Sequence, residues 1–303
     1  MNIDEHDLLF ARDVARFGGD PRELRNSREL IRVRRGVYCA RDTWDAIDSR
    51  QRHLLRIRAS MPSLTVPGMF AGVSAAAVWD IPILGDWPTE VTLLSPYRGG
   101  GKSEPGVLRT SVSAASATSA AIDGIPVTTL ARTGVDLART NVFGAAVASV
   151  DAIVARVGAS FRDDMRVELL RMNLRAGTAR ALRVLDVACD NSGSYGESRA
   201  RAAIIDLGFD APETQVEFRD EIGAMYPDFY WRGVNIAGEF DGKTKYTRDE
   251  FAHGDPAEVV WKEKKREDRL RRQVRTVVRI HHQHVENPPM LSRMLAAAGI
   301  PRR

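Results

Sequence analysis

The run YPDFYWRGVNIAGEFDGKTKY, residues 226–246, carries three carboxylates, Asp228, Glu239 and Asp241, among aromatic and β-branched residues. In a strand, residues two apart share a face, so Glu239 and Asp241 point the same way while Phe240 turns toward a core. Asp228 stands eleven residues before Glu239 on what reads as the preceding strand, and a tight hairpin brings the two side by side. Carboxylates packed in this way repel, and at least one is pushed toward its protonated form unless a cation sits between them. A divalent ion resolves the conflict. Hard oxygen donors at strand ends suit Mg2+, with Mn2+ as the alternative, and such an ion keeps waters and meets phosphate oxygens. The chemistry expected of Asp228 and Glu239 as metal ligands, with Asp241 assisting, is therefore water activation and relief of charge on a scissile phosphate.

These acids need a scaffold, and the flanking sequence supplies one. ESRARAAIIDLGF reads as a helix with Ala200, Ile204 and Leu207 on one stripe. Glu197 opens that helix, where the macrodipole favours a carboxylate, so it reads first as a cap. TQVEFRD alternates as a strand, with Gln215 on its polar face, and EIG is its turn; MYPDFYW and NIAGEFDG follow as two more strands. EVVWKEKKREDRLRRQ is a long basic helix, from which Lys265 or Arg269 is expected to hold phosphate, and VRTVVRIHH is a final strand. His281, His282 and His284 end that strand; with no completing ligand set they read as a phosphate contact or a solvated edge rather than a zinc site.

This order of helix, three-stranded meander, helix and strand resembles the PD-(D/E)XK nuclease superfamily, with Pro227-Asp228 as its "PD". It is similar in particular to the branch of small domains related to very-short-patch repair endonucleases. The motifs of that branch are matched by Glu197, Gln215, Asp228, EFDG at 239–242, REDRLRR at 266–272 and VVRI at 277–280, across roughly residues 185–285. The resemblance implies a restriction-endonuclease-like mixed sheet flanked by helices and catalytic roles for Asp228, Glu239, Asp241, Lys243 and Glu197, the last as support for the metal site. Asp241 occupies the place of the superfamily lysine, two residues after the glutamate; Lys243, at i+4, is the substitute that would orient the attacking water. The histidine expected just after the "DG" is absent.

The N-terminal segment points to DNA by a separate route. DLLFARDVARFGG has Leu8, Leu9, Val14 and Phe17 at helical spacing and stops at Gly18-Gly19. A second helix restarts with Asp20 as N-cap and Pro21 at N1. IRVRRGVYC then forms a hairpin turning at Gly36. Helix, helix and basic hairpin is the order of a winged helix-turn-helix, which would offer Arg22, Arg25 and Arg28 to the major groove and Arg32, Arg34 and Arg35 to phosphates. The ending LIRVRRGVYCA resembles the N-terminal domain of AbiEi-type antitoxins, and GIPVTTLARTGVDLAR resembles the segment that follows it there. That family implies a repressor of its own toxin–antitoxin operon, with a cognate toxin as partner.

Composition sets the outer bounds. With 303 residues, 44% hydrophobic, the chain accommodates more than one core, and it holds no eighteen-residue apolar run. Cys39 and Cys189 lie far apart, which suits a reducing cytoplasm. Net charge is +4, with basic clusters at 21–36 and 260–279 that fit a polyanion, most simply duplex DNA. GGGKS at 99–103 lacks the earlier glycine of a phosphate loop, because Pro96 stands there. DNSGSYG at 190–196 marks a boundary. The expectation is a multidomain chain of α+β and α/β type. It comprises a winged helix at 1–44, a mixed α/β middle at 45–184 and an endonuclease-like domain at 185–303. The function expected is metal-dependent cleavage of DNA, with a repressor or antitoxin carrying a degenerate nuclease fold as the alternative.

Overall fold

The computed structural model describes residues 7–64, 68–95, 105–111, 118–242 and 256–303. The phosphate-loop reading at 99–103 and Lys243 lie outside them. The protein is mixed α/β, and its chain divides into two compact units, 1–140 with 163–181, and 141–162 with 182–303. No helix among the described residues is long and apolar enough to cross a membrane.

The first unit begins with β1 (Leu9–Phe10), α1 (Ala11–Arg16), α2 (Pro21–Asn26), β2 (Leu30–Arg34) and β3 (Val37–Ala40), in a three-stranded antiparallel sheet ordered β1-β3-β2. The helical spacing from Leu8 to Phe17 predicts one helix, but Leu9 and Phe10 are strand. Pairing Leu9 with Tyr38 and Phe10 with Val37 lets Leu8 and Phe10 join Val37 and Cys39 in a core, a larger gain than an extra helical turn with no partner. Asp20 does cap α2, its side chain accepting the Arg22 N–H at 2.8 Å, and Pro21 takes N1. Gly36, at φ 77°, makes the two-residue turn of the β2–β3 hairpin, a conformation that disfavours a Cβ.

After α3 (Arg41–Ala46) and α4 (Ser49–Ser60) come β4 (Met69–Phe70), α5 (Gly72–Trp79), β5 (Val91–Ser95), β6 (Val107–Ser111), β7 (Ser119–Ile122), β8 (Ile125–Thr128) and α6 (Leu130–Thr140). The five strands form one sheet ordered β6-β5-β4-β8-β7. Residues 111–124 read as loop from sequence, yet β7 lies among them. As an edge strand it pairs on one side only, so mostly small residues suffice. Thr129 caps α6 by accepting the Arg132 N–H at 3.3 Å.

His53 of α4 is fully buried. Its Nδ1–H donates to Pro88 O at 2.8 Å and its Nε2 accepts from Ser74 Oγ at 2.9 Å, a neutral ring with both nitrogens occupied. Burial lowers its pKa from 6.5 to about 4, against the hydrogen bond to Pro88. The unfolded chain therefore binds the extra proton between those values. The stability is fully present above pH ~6.5 and is lost as pH falls toward 4, by up to about 3 kcal/mol. Thermal unfolding followed across that range is expected to show the slope in the wild type and a flatter one in His53→Gln; equal slopes would remove His53 as the cause.

The chain continues through α7 (Phe143–Val157), α8 (Phe161–Met172), α9 (Thr178–Val187) and α10 (Tyr195–Asp206). Sequence alone assigns α7 to the middle region; it packs instead on α10 in the second unit. Ala145, Ala146 and Ala148 allow close approach, and Asp151 pairs with Arg201 across the contact at 2.9 Å.

The rest of the second unit holds β9 (Glu213–Thr214), β10 (Phe218–Arg219), β11 (Ala224–Met225), β12 (Phe229–Trp231), β13 (Ile236–Asp241), α11 (Pro256–Arg271), β14 (Thr276–His281), α12 (His282–Glu286) and α13 (Pro288–Ala298). Its main sheet is ordered β14-β13-β12-β9, with β13 and β14 parallel across the α11 crossover and the other pairs antiparallel. Phe229, Trp231, Ile236, Phe240, Val278 and Ile280 face α10 and α13; Tyr230, Ala237 and Val277 face Leu270 and Val274 on the other side. The strand expected over 214–220 is split. Gln215 takes a left-handed φ of 52° and ends β9, and β10 turns away to pair with β11 as a hairpin. Pro227 likewise separates β11 from β12, since it has no N–H to give a ladder.

Candidate functional site

Antiparallel pairing of β12 and β13 sets Phe229 opposite Gly238, so Asp228 is opposite Glu239 on the next rung. Both lie on the face of Tyr230 and Ala237, the face that α11 covers, because the intervening Phe229 and Phe240 enter the opposite core. Asp228 is 8% exposed and Glu239 9%. The Phe240 N–H donates to Asp228 Oδ2 at 2.7 Å, which fixes that carboxylate against the neighbouring strand.

Two further groups converge on Asp228. Gln215 Nε2 lies 3.4 Å from both Asp228 Oδ1 and Glu197 Oε2, so one amide spans two carboxylates. The N-cap of α10 is Ser194 rather than Glu197, which lies in the first turn and joins the site. Its own N–H donates to Ser194 Oγ at 3.1 Å, and its Oε2 accepts the Gly193 N–H at 2.9 Å. A Cβ at Gly193 would stand 2.9 Å from Glu197 Oε2, so a side chain there would have to shift that carboxylate.

On the α11 side, Arg266 Nη2 donates to Glu239 Oε1 at 3.1 Å. Asp241 lies beyond Glu239 on the same face, and the parallel register sets it beside His281, with Oδ2 3.4 Å from Nδ1. The same register sets Glu239 beside Arg279, which also pairs with Glu267. The Glu267 hydrogen bond raises the Arg279 pKa above its ordinary value, and the charges of Glu267, Asp241 and Glu239 add to this. His284 Nδ1 accepts the His281 N–H at 2.9 Å, and burial, then the charge of His281, lowers its pKa.

The expected phosphate clamp needs correction. Arg269 Nε donates to Asp220 Oδ2 at 2.7 Å and its Nη2 donates to Asp220 Oδ1 and to Gly223 O, so it pins the turn of the β10–β11 hairpin. That hydrogen bond holds the Asp220 carboxyl far below its usual range. Arg266 is the α11 arginine that meets Glu239; it shares a helix face with buried Leu270 at i+4. Lys265 is exposed on the same helix. In the N-terminal unit Arg22, Arg25, Arg28, Arg32 and Arg35 are exposed, whereas Arg34, beside the bulge of β2, is half-buried.

Among the described residues no three of His, Cys, Asp and Glu come close enough to hold a metal ion unaided. Asp228 and Glu239 offer two hard carboxylate donors on one rung, which is what a Mg2+ site takes from protein when phosphate and water complete its shell. The donor chemistry fits such an ion, and Arg266 stands where a phosphate would compete for it.

No family model and no curated protein matches the chain. Among solved structures, the crystal structure of the RV2827C protein from Mycobacterium tuberculosis is similar over 60% of this chain and 76% of its own, at 19% identity and a TM-score of 0.35. A likeness that low transfers neither fold nor function.

Proposed function

We propose that the chain binds duplex DNA through a winged helix-turn-helix at its N-terminus. In this reading the second unit is a PD-(D/E)XK-like domain that hydrolyses DNA phosphodiester bonds with Mg2+ or Mn2+. The observation that carries the reading is the Asp228–Glu239 rung, with Gln215, Glu197 and Arg266 gathered on it. A divalent ion, which Asp228 and Glu239 would hold, would supply charge that acidifies water and offsets the phosphate. Gln215 and Glu197 orient Asp228, and Arg266 exchanges Glu239 for a phosphate oxygen. Asp241 Oδ2 stands 3.4 Å from His281 Nδ1, so a histidine lies beside the position where the superfamily has lysine. α2 and the β2–β3 hairpin, with their exposed arginines, carry the duplex.

A second reading rests on Asp241 in place of lysine and on the Arg266–Glu239 ion pair. In it, the domain is a degenerate fold that serves an AbiEi-like repressor with a cognate toxin. Supercoiled plasmid incubated with Mg2+ or with chelator separates the two. Nicking that requires the ion supports the enzyme; tight operator binding without nicking under either ion leaves the repressor. Gln215→Ala tests the positioning role. Nicking is expected to fall about 10-fold, as for loss of a group that orients a metal ligand, with duplex affinity unchanged. Undiminished nicking would make Gln215 merely structural.

A further inference from the structure

Trp44 of α3 carries two arginines on its ring. The guanidinium carbons of Arg52 and Arg56 stand 5.4 and 5.1 Å from the ring centroid. Both come from α4, four residues apart and well inside the helix, so they share one face. Trp44 itself is held in place, because it packs on the core of Leu8, Val37 and Leu55. A cation over an indole is favourable, and that accounts for each stack taken alone. It does not account for the pair, since like charges at this spacing repel.

Among the described residues no acid offsets that repulsion. Asp48, one turn before Arg52, is engaged as the cap of α4, accepting the Gln51 N–H at 2.7 Å. Asp45, beside Trp44, pairs with neither arginine among the described residues. Arg50 of the same helix shows the contrast: it pairs with Asp80 at 3.0 Å and donates to Ala77 O at 2.9 Å. Arg52 donates from Nε to Trp44 O at 3.0 Å, which leaves its two Nη groups without an acceptor among the described residues. The whole Arg56 guanidinium is in the same position. Both side chains are half-buried, and burial, then the charge of Arg52, lowers the Arg56 pKa from its ordinary value.

Two half-buried cations with donors to spare are unfavourable by themselves and favourable once an anion joins them. Stacking on one ring orders the planar forks in advance, which suits the oxygens of a tetrahedral oxyanion. We infer that Arg52 and Arg56, on Trp44, form a binding site for a phosphate-type oxyanion. In the proposed function that oxyanion is a DNA backbone phosphate, and to that extent the inference rests on that reading. α4 then adds a contact separate from α2 and the β2–β3 hairpin, one that positions the duplex without reading its sequence.

Duplex binding by the full chain, followed against salt concentration, tests this with Arg56→Gln, which removes the charge and no hydrogen bond of the fold. The variant is expected to bind about 10-fold more weakly, with a log–log salt slope shallower by about 1 and the same preference among sequences. Wild-type affinity and slope in Arg56→Gln would overturn the inference and leave the DNA reading standing. Should no duplex bind, the unfolding temperature in inorganic phosphate, against chloride of equal ionic strength, decides. Stabilisation of the wild type beyond that of Arg56→Gln keeps the site as one for a free oxyanion and removes the DNA reading. Equal effects on the two proteins overturn both.

Discussion

Asp228→Asn is expected to lower divalent-ion-dependent plasmid nicking on the order of 1000-fold, the scale of removing one preorganised charge from a reacting centre, while leaving fold and duplex binding in place. The two effects separate because Asp228 does two things. Oδ2 accepts the Phe240 N–H at 2.7 Å, a task that an asparagine oxygen can take over. The negative charge opposite Glu239 has no such replacement. Asp228→Ala loses both and leaves a buried N–H unsatisfied, which costs a further 1–3 kcal/mol or so of stability. Nicking rates measured beside urea midpoints distinguish these outcomes. An asparagine variant that nicks at the wild-type rate removes Asp228 from the chemistry.

The largest expected loss of stability lies elsewhere in the same unit. Arg201 Nη2 donates to Asp151 at 2.9 and 3.1 Å, its Nη1 donates to Val187 O at 2.6 Å, and the Cys189 N–H donates to Asp151 Oδ1 at 2.9 Å. Both charged side chains are buried. Asp151→Ala leaves Arg201 Nη2 and the Cys189 N–H without an acceptor and a buried positive charge unpaired, and is expected to cost about 3–5 kcal/mol. The joint change Asp151→Leu with Arg201→Met removes both charges together and is expected to cost much less. Equilibrium unfolding in urea measures both. Equal losses would mean that the ion pair is not what the single variant breaks.

How much of this was legible follows from which interactions are local. The alternation of Ile236, Phe240 and the acids marked β13 and its two faces, since side-chain direction in a strand depends only on parity. Asp20 was readable as a cap because a cap is decided within a few residues. Leu9 and Phe10 were not readable as strand, because the pairing that decides them lies at Val37 and Tyr38. Nor was the choice between Arg266 and Arg269. Both sit in one basic run, and Asp220, brought round by a hairpin that begins where Gln215 turns left-handed, claims the second. Gln215 itself read as an ordinary polar strand residue. Only the fold sets its amide between Glu197 and Asp228. Helix α12 begins within HHQH, which read as a phosphate contact or a solvated strand edge; His284 folds back to accept the His281 N–H at the start of that helix.

In the proposed function Asp228 and Glu239 make one divalent-ion pocket. Calorimetric titration of the full chain with Mn2+ tests it without relying on catalysis. Binding is expected in the wild type, with Asp228→Asn and Glu239→Gln each weakening it strongly and Arg266→Ala, which removes the ion pair to Glu239, strengthening it. A wild type that takes up no Mn2+, or variants at 228 and 239 that bind it as the wild type does, would contradict it.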